Sequence, residues 1–392
     1  MQVKLCAHSL HSGWSAGALD DSGKLDGKST LIIVFGAPEY RDNPQALAEL
    51  DAAFPQSLKV GCSTAGEIIG TSVFDASLSV AILCFEQSAI RIATARTSIE
   101  TSYESGRSLG DELADEALQS VFVLSEGLQV NGSALVEGVE DGLNKTGVVS
   151  GGLSADGDRF ESTWTWHGGA PQTGQVVAVG FYGLALEIGY GSYGGWRPFG
   201  PERLVTRAHA STLYELDGLP ALDLYKRYLG EYANELPSSG LLFPLALRSK
   251  RGDEGPIVRT ILSVDEASNS ITFAGSIPEG SYAQLMTANF DQLIDGAHVA
   301  ADQIGMTSEN SEQQGILIGI SCVGRRLLLG ERVEEELEAV AESFRQMPHF
   351  IGFYSYGEIA PNISSVGCSL KNQTMTLTFL TEKCERTSCT QP

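Results

Sequence analysis

Positive charge is scarce in this chain: 26 Lys and Arg stand against 49 Asp and Glu, a formal net charge of -23. That field repels nucleic acid and anionic membrane, and neither is expected as a partner. Long apolar runs are missing too. The longest, about Val176 to Ile188, is broken by glycines and too short to span a bilayer. The N-terminus has no basic region followed by an apolar stretch, so no signal peptide is read and the cytoplasm is the expected location. The seven cysteines (Cys6, Cys62, Cys84, Cys322, Cys368, Cys384, Cys389) have no regular spacing. They contain neither a C-x-x-C zinc knuckle nor the C-x-x-C-H of covalent haem, and are expected reduced. The six histidines show no H-x-x-x-H pair. No G-x-S-x-G elbow, P-loop or Rossmann glycine fingerprint occurs, which leaves an ordinary hydrolase or nucleotide enzyme without support.

Glycine, by contrast, is abundant, 44 of 392 residues, and it recurs in a pattern. Gly61-Cys62-Ser63-Thr64-Ala65-Gly66-Glu67-Ile68 returns as Gly352-Phe353-Tyr354-Ser355-Tyr356-Gly357-Glu358-Ile359. What precedes each copy also matches. Residues 31–36 read as a buried strand, Leu47, Leu50 and Phe54 as a helix face, and a second strand enters the motif. Likewise 316–321 is a strand, Val333, Leu337, Val340 and Phe344 a helix face, and 350–354 a strand. A looser third copy has strand 121–125, a helix with Leu135, Val139 and Leu143, and strand 147–149 entering a turn at Gly151-Gly152. Such lengths suit βαβ crossovers.

The pattern predicts an α/β fold of mixed sheets flanked by helices. Two related domains, 29–218 and 219–381, are built from duplicated βαβ-type units and layered helix–sheet–sheet–helix. Residues 1–28 are expected to be a loosely attached segment and 382–392 a frayed tail. Strands 78–85 and 89–96 read as a hairpin across Glu86-Gln87-Ser88, and 164–166 with 175–182 as a second strand pair. Residues 189–201 read as a connector rich in Gly, Tyr and Trp. A helix is expected at 219–228, strands at 257–264 and 271–275, a helix at 289–305 presenting Phe290, Ile294, Ala297, Ala301 and Ile304, and a last strand at 374–380.

Three constellations carry chemistry. Glu67 and Glu358 follow glycines at strand ends, where a carboxylate either orients a ligand or caps its own turn. If the repeats meet about a pseudo-twofold axis, the two carboxylates approach and one pKa rises. Tyr354 and Tyr356 beside Glu358 are pocket material. Cys322, with Arg325 and Arg326 close by, is either a thiol of lowered pKa or a small packed hydrophobe. In the connector, Tyr190, Tyr193, Trp196 and Phe199 either wall a pocket or plug a loop.

These motifs resemble the FIST family, in which a FIST N domain precedes a FIST C domain. The carriers are the two G-x-x-x-x-G-E-I segments, Gly151-Gly152-Leu153-Ser154-Ala155-Asp156-Gly157, Leu213 to Ala221, and Ser321-Cys322-Val323-Gly324-Arg325-Arg326. The resemblance spans about residues 28 to 380 and implies ligand sensing rather than turnover. Gly191 to Arg203 is similar to the subgroup of nitric-oxide-sensing haemoproteins called NosP. That subgroup implies haem b, nitric oxide as the signal, and a histidine kinase or cyclic-di-GMP enzyme as partner in biofilm control. In this reading the macrocycle lies against Tyr193, Trp196, Phe199 and Tyr354, and Arg197, Arg203 or Arg325 pairs with its propionates. Related chains often carry a His where this one has Tyr190, so Tyr190 as tyrosinate, His349 or His209 is left to hold the iron. The alternatives are a haem-free sensor of an amino-acid-like molecule anchored by Glu358 and Arg325, a signalling scaffold, or an enzyme with Cys322 as nucleophile. A homodimer is among the expected states.

Overall fold

The computed structural model describes residues 1–144, 146–251, 256–304, 315–362 and 366–383. Fifteen strands and their helices form three successive units of one design. The first unit holds β1 (Gln2–Ser9), β2 (Thr30–Gly36), helix α1 (Gln45–Ala53), β3 (Leu58–Ser63), β4 (Glu67–Ile69) and β5 (Ser77–Cys84). The second holds β6 (Ala89–Arg96), α2 (Ser102–Leu113), β7 (Leu118–Ser125), α3 (Gly132–Gly142), β8 (Val148–Leu153), β9 (Thr165–Trp166) and β10 (Gln175–Tyr182). The third begins with β11 (Leu186–Tyr193). It then carries an inserted lobe, 197–287, whose helix α4 spans Ala221–Leu229. It resumes with α5 (Phe290–Asp302), β12 (Ile316–Cys322), α6 (Val323–Leu329), α7 (Val333–Glu342), β13 (His349–Ser355), β14 (Gly357–Pro361) and β15 (Met375–Glu382).

The sheet orders repeat the design. They are β9-β3-β2-β5-β1, β14-β8-β7-β10-β6 and β4-β13-β12-β15-β11, each extended at one edge by a short extra strand. In every sheet the two central strands are parallel and joined through a helix, and the outermost strand beside them comes from another unit. Thus β4 of the first unit pairs with β13, β14 of the third pairs with β8, and β9 of the second pairs with β3. The joints close the cycle with equivalent hydrogen bonds: Ala65 N–H donates to Tyr354 O (2.8 Å), Ala155 to Ser63 (3.0 Å) and Tyr356 to Leu153 (3.4 Å). The chain is therefore a pseudo-threefold prism of three sheets, where two face-to-face sheets about a twofold were expected.

Glycine marks the same point in each unit. Gly61, Gly151 and Gly352 lie opposite Val34, Val123 and Gly319, and a Cβ there would meet the facing carbonyl oxygen at 2.6, 1.9 and 2.0 Å. These glycines lie inside strands, not in the turns expected of them; close backbone approach is what requires them. The interior between the sheets is apolar. Phe35, Cys62, Leu124, Ile320 and Phe353 share one core cluster, with the Phe35 and Phe353 rings 4.6 Å apart. Helices cover the outer faces. α1 buries Leu47 and Leu50 and ends at Phe54 before Pro55. α5 starts at a capping box of Asn289 and Gln292 and buries Leu293, Ala297, Ala300 and Ala301. Phe290, expected on that face, is exposed because it is the first helical residue, beyond the prism.

Several local expectations give way to sheet pairing. The 1–28 segment is not loose, since all eight residues of β1 pair with β5. Strands β5 and β6 do not form a hairpin. They belong to different sheets, and the N–H groups of Glu86, Gln87 and Ser88 between them donate to the Glu382 carboxylate at 2.8, 3.1 and 2.8 Å. β9 and β10 likewise separate, β9 to β3 and β10 to β6 and β7. The 189–201 connector is strand: Tyr190 pairs with Thr378, and Arg197 opens the long strand Arg197–His209 of the inserted lobe. Glu382, expected in a frayed tail, ends β15; the tail from 384 on, with Cys384 and Cys389, lies outside the described residues.

The inserted lobe is a curved sheet whose strands run in the order 257–259, 245–248, 282–287, 197–209, 212–216, 270–273, 261–265. Leu222 and Tyr225 of α4 pack on Leu213, Ile271 and Phe273 as a separate core. Residue 218, where the two expected domains meet, is in the turn that pairs Leu216 with Leu219. Among the described residues, no helix is long and apolar enough to cross a membrane.

Candidate functional site

The expected site residues are dispersed. Arg325 is fully buried, and its Nε and Nη2 donate to Glu336 Oε2 at 2.9 and 2.8 Å, with further bonds to Gly194 O and Leu293 O. Glu336 also accepts from Ser321 Oγ (3.1 Å) and the Tyr354 hydroxyl (2.7 Å). The guanidinium is thus neutralised inside the prism and holds α6 to α7. Cys322 is buried beside it, and burial pushes its thiol up rather than down, which opposes a reactive thiolate. Arg326 clamps the first unit to the third by pairing with Asp75 (2.8 Å) and donating to Ala65 O.

Glu67 and Glu358 occupy the same place in two units. Glu67 accepts from Thr64 Oγ1, Ser77 Oγ (2.6 Å) and Ser77 N–H (3.2 Å). Glu358 accepts from Ser355 Oγ (2.9 Å), Thr374 Oγ1 (2.8 Å) and Thr374 N–H (3.1 Å). Burial raises both carboxyls to about 8, against the hydrogen bonds that lower them. In the second unit the position is Thr165, whose hydroxyl reaches the Gln175 carbonyl at 3.3 Å. These groups pin each joint to the start of its own unit's last strand, Ser77 and Gln175 being the first residues of β5 and β10 and Thr374 the residue just before β15. They are structural, and the pseudo-threefold gives each its own joint instead of bringing the two carboxylates together.

Among the described residues, the aromatic side chains singled out are set apart from one another. Tyr190 donates its hydroxyl to Ser120 Oγ (2.7 Å), and burial raises its pKa, opposing a tyrosinate. Trp196 is buried and donates to Gln373 O (2.9 Å), whereas Tyr193 and Phe199 are 42% and 39% exposed. Tyr356 donates to Asp156 and stacks on Phe160 at 4.6 Å. His349 opens β13, three strands across the sheet from Tyr190 on β11, about 14 Å at strand spacing. His209 is exposed at the end of its strand in the lobe. Arg203 is paired with Asp217 (3.0 Å), and Arg197 is exposed. Residues so placed do not assemble a haem pocket. Among the described residues no cluster of His, Cys, Asp and Glu is arranged to hold a metal ion.

A cleft of about 410 Å³ does lie where the inserted lobe meets the prism. Its walls come from α3 (Ser133, Glu137, Glu140), the edge strand 368–371 and lobe strands carrying Leu247, Ile257 and Arg259. Arg259, 4% exposed, crosses from lobe to prism. It donates to Leu370 O (2.9 Å), Ser133 Oγ (3.3 Å), Ser276 O (3.3 Å) and Val258 O (3.4 Å). A Cβ on Gly275 would stand 2.7 Å from Arg259 Nε, so glycine there makes room for the guanidinium. Every one of these acceptors is neutral; among the described residues no carboxylate pairs with it. Burial lowers its pKa to about 10, with Glu358 nearby opposing that. Close by, burial and then the charge of Arg259 lower Lys371 to about 8, while its Nζ donates to Asn362 Oδ1 (3.1 Å). In the sequence Arg259 reads as part of the strand expected at 257–264. Its signal was an arginine inside Ile257-Val258-Arg259-Thr260-Ile261, where an apolar side chain is expected. A second cleft, about 400 Å³, opens between β3 and β6. Its buried cation, Lys59, is already paired with Asp51 at 2.9 Å.

The FIST N domain family matches residues 30–219 and the FIST C domain family residues 221–361. An uncharacterized protein of Methanocaldococcus jannaschii is 24% identical over 368 residues, covering 85% of this chain; the chain spans 66% of that relative's length. Among solved structures, a cyanuric acid hydrolase from A. caulinodans is similar over 97% of this chain and 99% of its own, with 9% identity and a TM-score of 0.40. A second cyanuric acid hydrolase structure gives 8% identity, the same coverage and a TM-score of 0.38. Values this low transfer neither fold nor activity.

Proposed function

The chain belongs to the FIST family, a family of sensory signalling domains, and from that premise we propose that it senses a small organic molecule without haem, in the cleft between lobe and prism. The observation that carries this reading is Arg259, a buried cation with no carboxylate partner among the described residues, in the wall of a cleft shared by two bodies. A ligand there touches both, and only a ligand that binds two arrangements of lobe and prism unequally can carry a signal. The volume suits a metabolite of amino-acid size. The chain itself is then a non-enzymatic receiver in the cytoplasm, and a histidine kinase or cyclic-di-GMP enzyme reads the altered lobe. That last step rests on the family resemblance.

Two measurements test the proposal. Protein purified from haem-supplemented cells should show a flat visible spectrum; a Soret band that shifts with nitric oxide would restore the haem reading. A thermal-shift screen of small metabolites should find a ligand whose effect disappears in Ser276→Trp, which fills the cleft. Stabilisation untouched by that substitution would move the site elsewhere.

A further inference from the structure

We infer that the cleft between β3 and β6 is a docking site for an extended segment of a partner protein, which adds there as a strand with a basic residue between two apolar ones. The site takes no residue of the sensory cleft. It begins at a gap in the pseudo-threefold. After β4 the chain returns as a strand, Ser72–Phe74, and after β14 it returns as Cys368–Lys371. After β9 the return is a single bridge, Thr165 to Gln172. The two full returns cover the strand below each joint: Gly70 N–H donates to Phe350 O (2.9 Å), and Val149 N–H donates to Cys368 Sγ (3.3 Å). Val149 and Phe350 stand two residues before Gly151 and Gly352; the equivalent residue before Gly61 is Lys59. β9 stops opposite Gly61, so among the described residues no strand stands beside Lys59 on that side. The cleft of about 400 Å³ lies there.

Main-chain direction makes this gap a receptor for backbone. Ser63 N–H donates to Trp164 O (2.9 Å), and alternation along β3 turns the N–H and C=O of Lys59 to the same side. Across the cleft, β6 is the outermost strand of its sheet. Thr97 N–H donates to Gly174 O (3.0 Å), so Ala95 and Ala93 bond toward β10, while Thr94 and Ile92 present their main-chain groups outward. Ser105 Oγ, which donates to Arg96 O at 2.7 Å, marks the same outward side. Ile92 and Thr94 are the β6 residues that line the cleft. The arginines of β6 do not guard this edge: Arg91 is drawn to Asp115 (3.1 Å) and Arg96 to Thr173 O (2.8 Å). An extended chain laid between the two open edges bonds to both, as in strand addition. From Ile92 to Thr94 is roughly 7 Å of strand, which three residues of the incoming chain match.

The walls choose the side chains. An incoming strand points alternate residues to opposite faces. One face meets Leu58 and Ile92, both packed at the margin of the core between the sheets. The other meets Glu112 and the pair of Lys59 with Asp51, whose charges cancel at 2.9 Å. Glu112 is exposed and gives this wall its unbalanced negative charge. A basic residue toward Glu112, with apolar neighbours toward Leu58 and Ile92, complements both faces.

The test uses the full chain and a panel of fluorescein-labelled pentapeptides with threonine at both ends. The centre is lysine, arginine, glutamine or glutamate, flanked on each side by valine, isoleucine, leucine or phenylalanine. Fluorescence polarisation should find binders with lysine or arginine at the centre, and their glutamate counterparts should bind at least about tenfold more weakly. N-methylation of a binder's main chain should also cost at least about tenfold, and hydrogen exchange at Ile92 and Thr94 should slow when the peptide is bound. Thr94→Pro removes an outward N–H and no bond to β10, so the fold should stay and binding should fall at least about tenfold. Glu112→Lys should turn the preference toward the glutamate centre. Failure of every peptide at millimolar concentration, or binding indifferent to N-methylation and to Thr94→Pro, overturns the proposal. A glutamate-centred peptide that binds as well as the lysine one overturns the assigned partner chemistry. Self-association in ultracentrifugation that Thr94→Pro abolishes would give the edge to a second copy of the chain and overturn the partner segment.

Discussion

Arg325 and Arg259 are both buried guanidiniums, 0% and 4% exposed, yet the protein treats them in opposite ways. Arg325 sits within the prism against Glu336, with Ser321 and Tyr354 completing the carboxylate's hydrogen bonds. Arg259 bridges lobe and prism and, among the described residues, donates only to carbonyls and a hydroxyl. Taking a charge out of water is costly, and a close counterion offsets the cost. The first arginine is therefore complete as it stands. The second carries a charge that no carboxylate among the described residues pairs with. Burial alone does not separate a structural ion from a binding one; the presence of a counterion does.

Removing Glu336 tests the first half most severely. Glu336→Ala leaves Arg325 buried and unpaired and should cost about 3–5 kcal/mol by urea unfolding. Arg325→Met combined with Glu336→Leu should recover most of that loss, because two apolar groups of similar size leave no charge behind. A double variant as unstable as Glu336→Ala would mean that the network supplies packing that no apolar pair replaces. Arg259→Met sharpens the contrast. It removes an uncompensated charge and strands only neutral acceptors, so about 1–2 kcal/mol is expected without ligand. A loss matching that of Glu336→Ala would make Arg259 a structural residue like Arg325.

A separate effect concerns pH. Glu67 and Glu358 titrate near 8 in the folded chain, against about 4.3 when unfolded. The native state therefore holds protons that the unfolded state has lost. The stability these groups contribute is fully present below about pH 4.3 and is lost as pH rises through 8. Glu67→Gln and Glu358→Gln should each flatten that slope, by on the order of 3 kcal/mol between pH 5 and 8. The effect should be weaker for Glu358, whose ionised form has the charges of Arg325 and Arg259 nearby. Urea melts across that pH range that keep the wild-type slope in both variants would contradict the raised values.

Strand by strand, much of the fold was legible. The runs at 31–36, 121–125 and 316–321 are central strands, and the helices carrying Leu47 and Leu50, Leu135 and Val139, and Leu337 and Val340 bury those residues. The site was much less so. Glu358 and Arg325 were singled out for their side chains, and both are saturated by local partners. Glu336 sits at the i+3 position from Val333 on an apolar face, which was a visible sign of a buried acid. Arg259 had a similar sign, a charge in mid-strand. What neither sign contained was the identity of the group across from it.

The amino-acid sequence by itself determined the repeated strand–helix–strand units and the glycines inside them, because apolar period and backbone crowding are local properties. Only the tertiary structure decided that the units number three around an axis, that β4, β9 and β14 cross into neighbouring sheets, and which buried arginine has a counterion. Those outcomes join residues hundreds of positions apart, such as Glu67 to Phe353 and Arg259 to Ser133 and Leu370 across the lobe boundary. Strand pairing and charge compensation over such separations are settled by how the packed sheets close, which no local periodicity contains.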